Sequence, residues 1–454
     1  MVGLTFYPYS THLSEDVLRS ICAQHTGITQ SLIASPISYQ KDLQIKSVVA
    51  NMPPYHKVLL NPNLDIQYHL SGYGLFYEEA LIRLAGEAVE RYSLLIAQYT
   101  LGDRLRYATH REISTTGEVV PLDYLRLFGD RDYVKLKNTS DYNVMRRLEP
   151  NDVVGWVKCS SLFDPGREIW APAQMLFVGY RPNRERNEVA FSPGFSTGTA
   201  AHSNLQKALQ NALLEAIEID ALMVHWYTGR TAPAIVINDL TLQTLLPDLF
   251  AGSSQYEVLA LDLRLSSEMS AHAIGVVLIN KAQGRPLIIF GGQGGLDPRQ
   301  TLYRALMEAI AVAFLGIYGP LYLPKQYLQS TDDSTFTDLD RNVAFFADPN
   351  GAATKVAAVR KLANGTKLLS SMPNFQTPGT ERDTMRLIQQ LSKLSQYAVF
   401  IDITPPETSR MGWHVMRVFI PELVTMCLPG VPYSEHPRMK EFGGVRNALP
   451  HPLP

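Results

Sequence analysis

Three segments of this chain set glutamate in the same surroundings. "RLAGEAVERYS" (83–93), "NALLEAIEIDA" (211–221) and "RALMEAIAVAF" (304–314) each hold Glu-Ala followed by Val or Ile, at Glu87, Glu215 and Glu308. Four residues before each glutamate stands a polar side chain: Arg83, Asn211 and Arg304. In the first two, a second glutamate follows three residues on, Glu90 and Glu218. Positions i, i+3 and i+4 share one helix face, so each set lines a single face. Two carboxylates ~5 Å apart repel by roughly 3 kcal/mol at an effective dielectric near ~20. A helix tolerates this when the face is solvated or when a cation lies between the charges. These segments are otherwise mostly apolar, which disfavours full solvation. Carboxylates from several helices meeting at one cleft suit Mg2+, which takes one or two of them and completes its octahedron with phosphate oxygens and water. A glutamate pair is commonplace on an exposed helix, and each segment alone reads as a solvated face. Three with one offset weaken that reading in favour of a shared ion or nucleotide site.

The approaches to the three segments are alike. "SGYGLFYEE", "GFSTGTAAHS" and "GGQGGLDPRQ" read as small-residue loops running into helix starts. Such loops offer backbone N–H groups to phosphate, and the helix dipole favours anions there. Asp297 followed by Pro298 makes a good N-cap and first helical residue. None of the loops has the G-x-x-x-x-G-K-[ST] pattern of a P-loop, and "GGQGG" lacks the G-x-G-x-x-G spacing of a dinucleotide site.

The elements that must position these residues follow from the hydrophobic pattern. Strand-like runs span 153–163, 173–180, 233–239, 256–265, 273–280, 286–292, 397–404 and 413–423, rich in Val, Ile and aromatics. Helical runs lie near 78–99, 203–226, 298–316 and 380–396. They interleave without a strict βαβ rhythm, which predicts an α+β (mixed α/β) domain rather than a doubly wound sheet. The stretch 325–378, rich in Ser, Thr, Asp, Asn and Gly, reads as a surface excursion or lid. The 454 residues carry a net charge of −2 and are 46% hydrophobic, a globular composition with no basic stripe for nucleic acid. No run approaches the ~18 apolar residues of a membrane span, and the start has no signal-peptide pattern. Cys22, Cys159 and Cys427 are far apart and form no C-x-x-C pair. A reduced, cytoplasmic protein is expected.

"GEAVERYS", "STGTAAHSNLQKALQNALLEAIEIDA", "RALMEA", "VFIDITPP" with "VMRVFIPEL", and the final "PHPLP" resemble the YcaO family. More narrowly they resemble its azoline-forming cyclodehydratases of ribosomal-peptide biosynthesis. The likeness runs from "HTGITQSLIA" (25–34) to the last residue. It implies mixed sheets and helices around an ATP and Mg2+ site without a Walker motif. It also implies an N-terminal segment, 1–60, packed on a catalytic domain, 61–454, that ends in a proline-rich tail, 448–454. By position, Glu87, Glu90, Glu215, Glu218 and Glu308 are the implied magnesium ligands. Glu87, Arg91, Ser196, Asn211, Glu215, Arg304 and Glu308 are the implied ATP contacts. The chain departs from the family pattern in three places: Arg83 stands where the family has serine, Ile219 where it has arginine, and Tyr73 in place of the lysine of a Gly-Lys-Gly run.

The implied reaction uses ATP to convert Cys, Ser or Thr of a precursor peptide to thiazoline or oxazoline. The implied partners are that peptide, a leader-binding protein resembling ubiquitin-activating enzymes, and a separate flavin dehydrogenase, with a homodimer as one expected assembly. Proline fixes φ and makes the tail a stiff rod; the resemblance implies that it aims the Pro454 carboxylate at the reacting amide as a catalytic group. The alternatives are a thioamide- or amidine-forming enzyme and a non-catalytic peptide-binding scaffold. His202 reads as a proton-transfer candidate or a helix-start hydrogen-bonding residue. Asp402 and Thr404 read as substrate contacts or as groups that satisfy a strand end. Cys427, Tyr227 and Trp226 read as core.

Overall fold

The computed structural model describes residues 19–23, 27–34, 41–55, 57, 70–137, 144–322, 336–337 and 339–453. Among them the strands are β1 (Ser31–Ala34), β2 (Lys46–Asn51), β3 (Leu70–Gly74), β4 (Leu105–Thr109), β5 (Glu118–Val119), β6 (Val153–Ser161), β7 (Glu168–Pro172) and β8 (Thr199–His202). They continue with β9 (Ala232–Val236), β10 (Tyr256–Asp262), β11 (His272–Asn280), β12 (Ile288–Gly295), β13 (Ala363–Leu368), β14 (Val399–Asp402) and β15 (His414–Phe419). The helices that matter to the site are α1 (Tyr77–Thr100), α2 (Leu205–Thr228), α3 (Pro298–Tyr322), α4 (Leu339–Ala347) and α5 (Thr380–Leu391).

Three sheets form. The first has the order β1-β2-β3, the second β12-β11-β10-β9-β13, and the third β5-β7-β6-β14-β15-β8, with β4 also pairing β6. Pairing is antiparallel except for β13 with β9 and β5 with β7. The predicted mixed α+β class is the observed one. β3, β8 and β12, which directly precede α1, α2 and α3, are each the outermost strand of a different sheet. Each helix therefore starts from a sheet edge and packs back onto it.

The helix starts are locally encoded. The Asn204 side chain accepts from the Lys207 N–H at 2.9 Å, and Gly229 closes α2 in the left-handed region at φ 69°. The Asp297 side chain accepts from the Gln300 N–H at 2.9 Å, with Pro298 as the first residue of α3. α2 is apolar nearly all round, and its last ten residues are buried between the second and third sheets.

Three expectations about the elements need correction. Residues 173–176 form a short helix, not a strand, because β7 ends at Pro172 and the buried Gln174 side chain is engaged by Val189, Phe191 and Glu188. The stretch 325–378 is not a lid where it is described: β13 pairs in parallel with β9 and α4 packs on α3. Its polar residues face out from an exposed edge strand, which hides the strand from a hydrophobic pattern. Third, Pro298–Gly319 is long and apolar enough to cross a membrane, and it is the one such helix among the described residues. Its apolarity serves burial against β11 and β12.

Candidate functional site

"SGYG" and "GGQGG" are edge strands rather than the phosphate-binding loops expected of them. Their glycines permit strand and helix backbones to touch. A Cβ on Gly72 would fall 1.7 Å from the Ala80 carbonyl oxygen, and one on Gly291 2.5 Å from that of Ala305. Close packing brings Glu87 and Glu308 onto N–H groups of the strand that precedes each helix. Glu87 Oε2 accepts from the Ser71 N–H at 2.9 Å, and Glu308 Oε2 from the Gly292 N–H at 2.8 Å, both across 16 residues of chain. The N–H groups of Gly198 and Thr199 lower the pKa of the Glu215 carboxyl against the effect of burial, Thr199 lying at the same 16-residue offset. Glu218 Oε2 accepts from the Gly294 N–H at 2.6 Å. The shared motif is thus a repeated strand–helix unit in which a carboxylate caps a sheet edge that would otherwise be unpaired. Each such bond uses one oxygen of a carboxylate that has two.

The three units face one another. Burial is the main cause of the raised carboxyl pKa values here. It pushes the Glu215 and Glu308 carboxyls up to about 7, and those of Glu90 and Glu218 well above the ordinary range. Mutual repulsion adds to it: Glu308 and Glu215 act on Glu218, and Glu215 and Glu87 act on Glu90. Arg91 reaches Glu87 at 3.8 Å and Glu90 at 3.7 Å, and Arg417 offsets Glu215 and Glu90 from below. Among the described residues, no three His, Cys, Asp or Glu side chains come close enough to hold a metal ion unaided.

Two of the departures from the family pattern lie together. The Arg83 guanidinium stacks over the Tyr73 ring at 5.3 Å and pairs with Glu79 at 2.8 Å. Glu79 also accepts from the Leu75 N–H at 3.0 Å and the Tyr303 hydroxyl at 3.1 Å. Burial and the charges of Glu308, Glu87 and Glu218 raise the Tyr73 hydroxyl, so it stays protonated inside the cluster. A cation therefore stands beside position 73, supplied from position 83. Ile219 is buried in the core.

The remaining expected residues fall as follows. Ser196 opens the turn into β8, its carbonyl accepting from the Thr199 N–H at 2.9 Å. Asn211 lies one turn before Glu215, half-buried. Arg304 lies one turn before Glu308; burial lowers the pKa of His202, and Lys207 and Arg304 add to it. His202 Nδ1 accepts from the Asn204 N–H at 2.9 Å, the bland role. Asp402 and Thr404 satisfy the strand end: Thr404 Oγ1 accepts from the Val415 N–H at 2.8 Å. Cys427 is fully buried and its thiol is pushed up to about 12 by burial, so it is core. Tyr227 and Trp226 are core as well.

The tail is buried. His451 Nε2 pairs with the Cys427 carbonyl at 2.8 Å, the Asn342 side chain donates to the carbonyls of His451 and Leu453, and Trp226 Nε1 donates to Leu449. Pro452 and Leu453 line a small apolar cavity with Leu222 and Phe290. Met223, His225 and Trp226 line it too, so the tail lies beside the second half of α2. Pro454 itself lies outside the described residues, as does most of the segment 1–30.

The sequence matches, over residues 71–424, the family described as YcaO cyclodehydratase, ATP- and Mg2+-binding. The chain belongs to the YcaO family. No curated protein matches the sequence. Among solved structures, a heterocyclase in complex with substrate and cofactor is similar at 18% identity and a TM-score of 0.71, over 97% of this chain and 56% of that one. YcaO from Methanopyrus kandleri, bound with AMPPCP and Mg2+, is similar at 15% identity and 0.58, over 92% and 88%. The E. coli microcin synthetase McbBCD complex is similar at 13% identity and 0.60, over 96% and 99%. These likenesses establish the fold, and this YcaO chain spans little more than half the length of the first.

The donor set fits the family's ligands. Hard carboxylate oxygens suit Mg2+, which needs only one or two of them beside phosphate oxygens. Burial, with mutual repulsion added, raises these carboxyl pKa values, and a bound divalent ion would relieve the charge it leaves uncompensated. Arg417 is the residue that sequence reasoning passed over. Its signal was present: an arginine inside the apolar strand "HVMRVFI".

Proposed function

We propose that this YcaO chain is an ATP-dependent cyclodehydratase that forms thiazoline or oxazoline rings in a ribosomal precursor peptide. The observation that carries the reading is that carboxylates of three helices, Glu87, Glu215, Glu218 and Glu308, lie at the edges of three sheets, with Glu90 linked to them by charge. In this reading Glu87, Glu90, Glu215, Glu218 and Glu308 hold Mg2+, and Arg91, Ser196, Asn211 and Arg304 complete the ATP contacts. Bound Mg2+ supplies charge neutralisation at the phosphates.

The Cys, Ser or Thr side chain would attack the preceding amide carbon and give up its thiol or hydroxyl proton, and the amide oxygen would take the γ-phosphoryl group of ATP as ADP leaves. The amide nitrogen loses its proton to a base, and the C–O bond breaks to release phosphate and leave the C=N bond of the ring. The protein's work is alignment and stabilisation of the oxyanion. The tail, held along α2 by Asn342, Trp226 and Cys427, supports a role in aiming the base.

A leader-binding partner is part of the proposal, resembling ubiquitin-activating enzymes, with a separate flavin dehydrogenase for any oxidation to azole. The McbBCD complex, described with pro-MccB17 bound, supports a peptide substrate and partner proteins in general. Incubation with precursor peptide, partner and Mg2+·ATP is expected to remove one water per modified residue, read by mass spectrometry. An increase in peptide mass from sulfur exchange would overturn it in favour of thioamide formation. Adding a Gly-Ser pair after Pro454 is expected to reduce cyclisation at least ~10-fold while ATP binding holds, by the cost of misplacing a reacting group. Equal cyclisation by both chains removes the tail from the mechanism.

A further inference from the structure

Arg417 lies on β15 opposite Thr199 of β8 and is 1% exposed. A buried guanidinium is expensive unless its donors are matched. Here Nη1 donates to the Thr197 carbonyl and to Thr199 Oγ1 at 3.0 Å, and Nη2 donates to the Met175 carbonyl at 2.8 Å. Nε is buried with no hydrogen-bond partner. The planar fork thus pins both ends of the turn 197–199. The Thr197 hydroxyl in turn accepts from the Met426 N–H at 3.2 Å. The middle of that turn is Gly198, at φ 84°, and a Cβ there would fall 2.5 Å from the Val418 carbonyl oxygen. The backbone N–H groups of Gly198 and Thr199 lower the pKa of the Glu215 carboxyl against burial, and the turn lies against α2, where a Cβ on Gly198 would fall 3.9 Å from the Ala212 carbonyl oxygen. The same guanidinium faces Glu215 and Glu90 as charge partners.

We propose that Arg417 is a positioning residue for the carboxylate site, holding Glu215 in place through the 197–199 turn while compensating its charge. The inference deepens the functional reading above and rests on Glu215 acting at the metal. Lysine keeps the charge and loses the fork, so it cannot pin both ends of the turn. Residues that orient ligands from behind typically cost 10–100-fold in metal affinity when replaced.

The test joins two readouts on the full-length chain. In a double-mutant cycle on urea unfolding, Arg417→Met and Glu215→Gln are expected to be non-additive. If Arg417→Met does not fold, Arg417→Lys replaces it in the cycle. In calorimetric titration of Mg2+ in the presence of AMPPCP, Arg417→Lys is expected to bind Mg2+ about 10–100-fold more weakly than the wild type. Additive unfolding effects, or unchanged Mg2+ affinity in Arg417→Lys, overturn the inference. A wild-type chain that binds no Mg2+ with AMPPCP overturns the functional reading instead, and the cycle still decides the Arg417–Glu215 link.

Discussion

Glu215→Gln is expected to lower ATP consumption by about 10^2–10^3-fold or more while leaving the fold intact, on the scale of removing one preorganised electrostatic contact at a reacting phosphoryl group. Glutamine matches the shape of the carboxyl and keeps an oxygen to accept from the edge N–H groups of Gly198 and Thr199. What it loses is the negative charge, which is what a magnesium site requires. Glu215 sits between α1 and α3 in the electrostatic order of the site, acting on Glu90, Glu218 and Glu308 alike. ATP turnover of the purified variant, together with its thermal unfolding midpoint, checks the claim. Unchanged turnover in a folded variant sinks the site.

Nucleotide binding is expected to depend steeply on pH near neutrality. Glu215 and Glu308 both titrate at about 7 in the folded chain, chiefly through burial. Mg2+ binds the ionised forms, so its binding must expel any proton they carry. Affinity for Mg2+·AMPPCP should rise with pH up to and through 7 and fall about tenfold per pH unit below it for each proton released. Calorimetry in buffers of different ionisation enthalpy measures that proton release directly. A flat profile between about pH 6 and 8 contradicts the assignment.

The same raised carboxyls affect stability, and the sign is the reverse of a salt-bridged carboxylate. A folded pKa raised above the unfolded value means that the folded chain holds protons the unfolded chain has shed. The contribution is therefore favourable at low pH and lost as pH rises from about 4.5 to 7. His436 and His451, pushed down to about 4 by burial, titrate the other way in the same window, since the unfolded chain then binds the extra proton. The carboxylate effect is thus best read as the stability difference between wild type and Glu215→Gln. The wild type should lose ground to the variant as pH rises through that window, by up to about 1.4 kcal/mol for each pH unit.

Local spacing determined a good deal of this protein. The i, i+3 and i+4 offsets placed Glu87 with Glu90 and Glu215 with Glu218 on single faces. Asp297 and Pro298 marked a helix start, because helical hydrogen bonds close within a few residues. The proline tail was also legible, because φ is restricted in the residue itself. Only the tertiary structure decided which sheet each strand joined. The glycine runs before α1 and α3 read as phosphate loops until strand pairing made them sheet edges, and β13 read as surface because its exposed face is polar. The burial of Arg417, and with it the support of Glu215, depends on β15 lying beside β8, more than 200 residues away in sequence. Strand partners are chosen by burial of apolar faces and satisfaction of edge N–H groups across the whole chain. A motif's spacing carries no record of that choice.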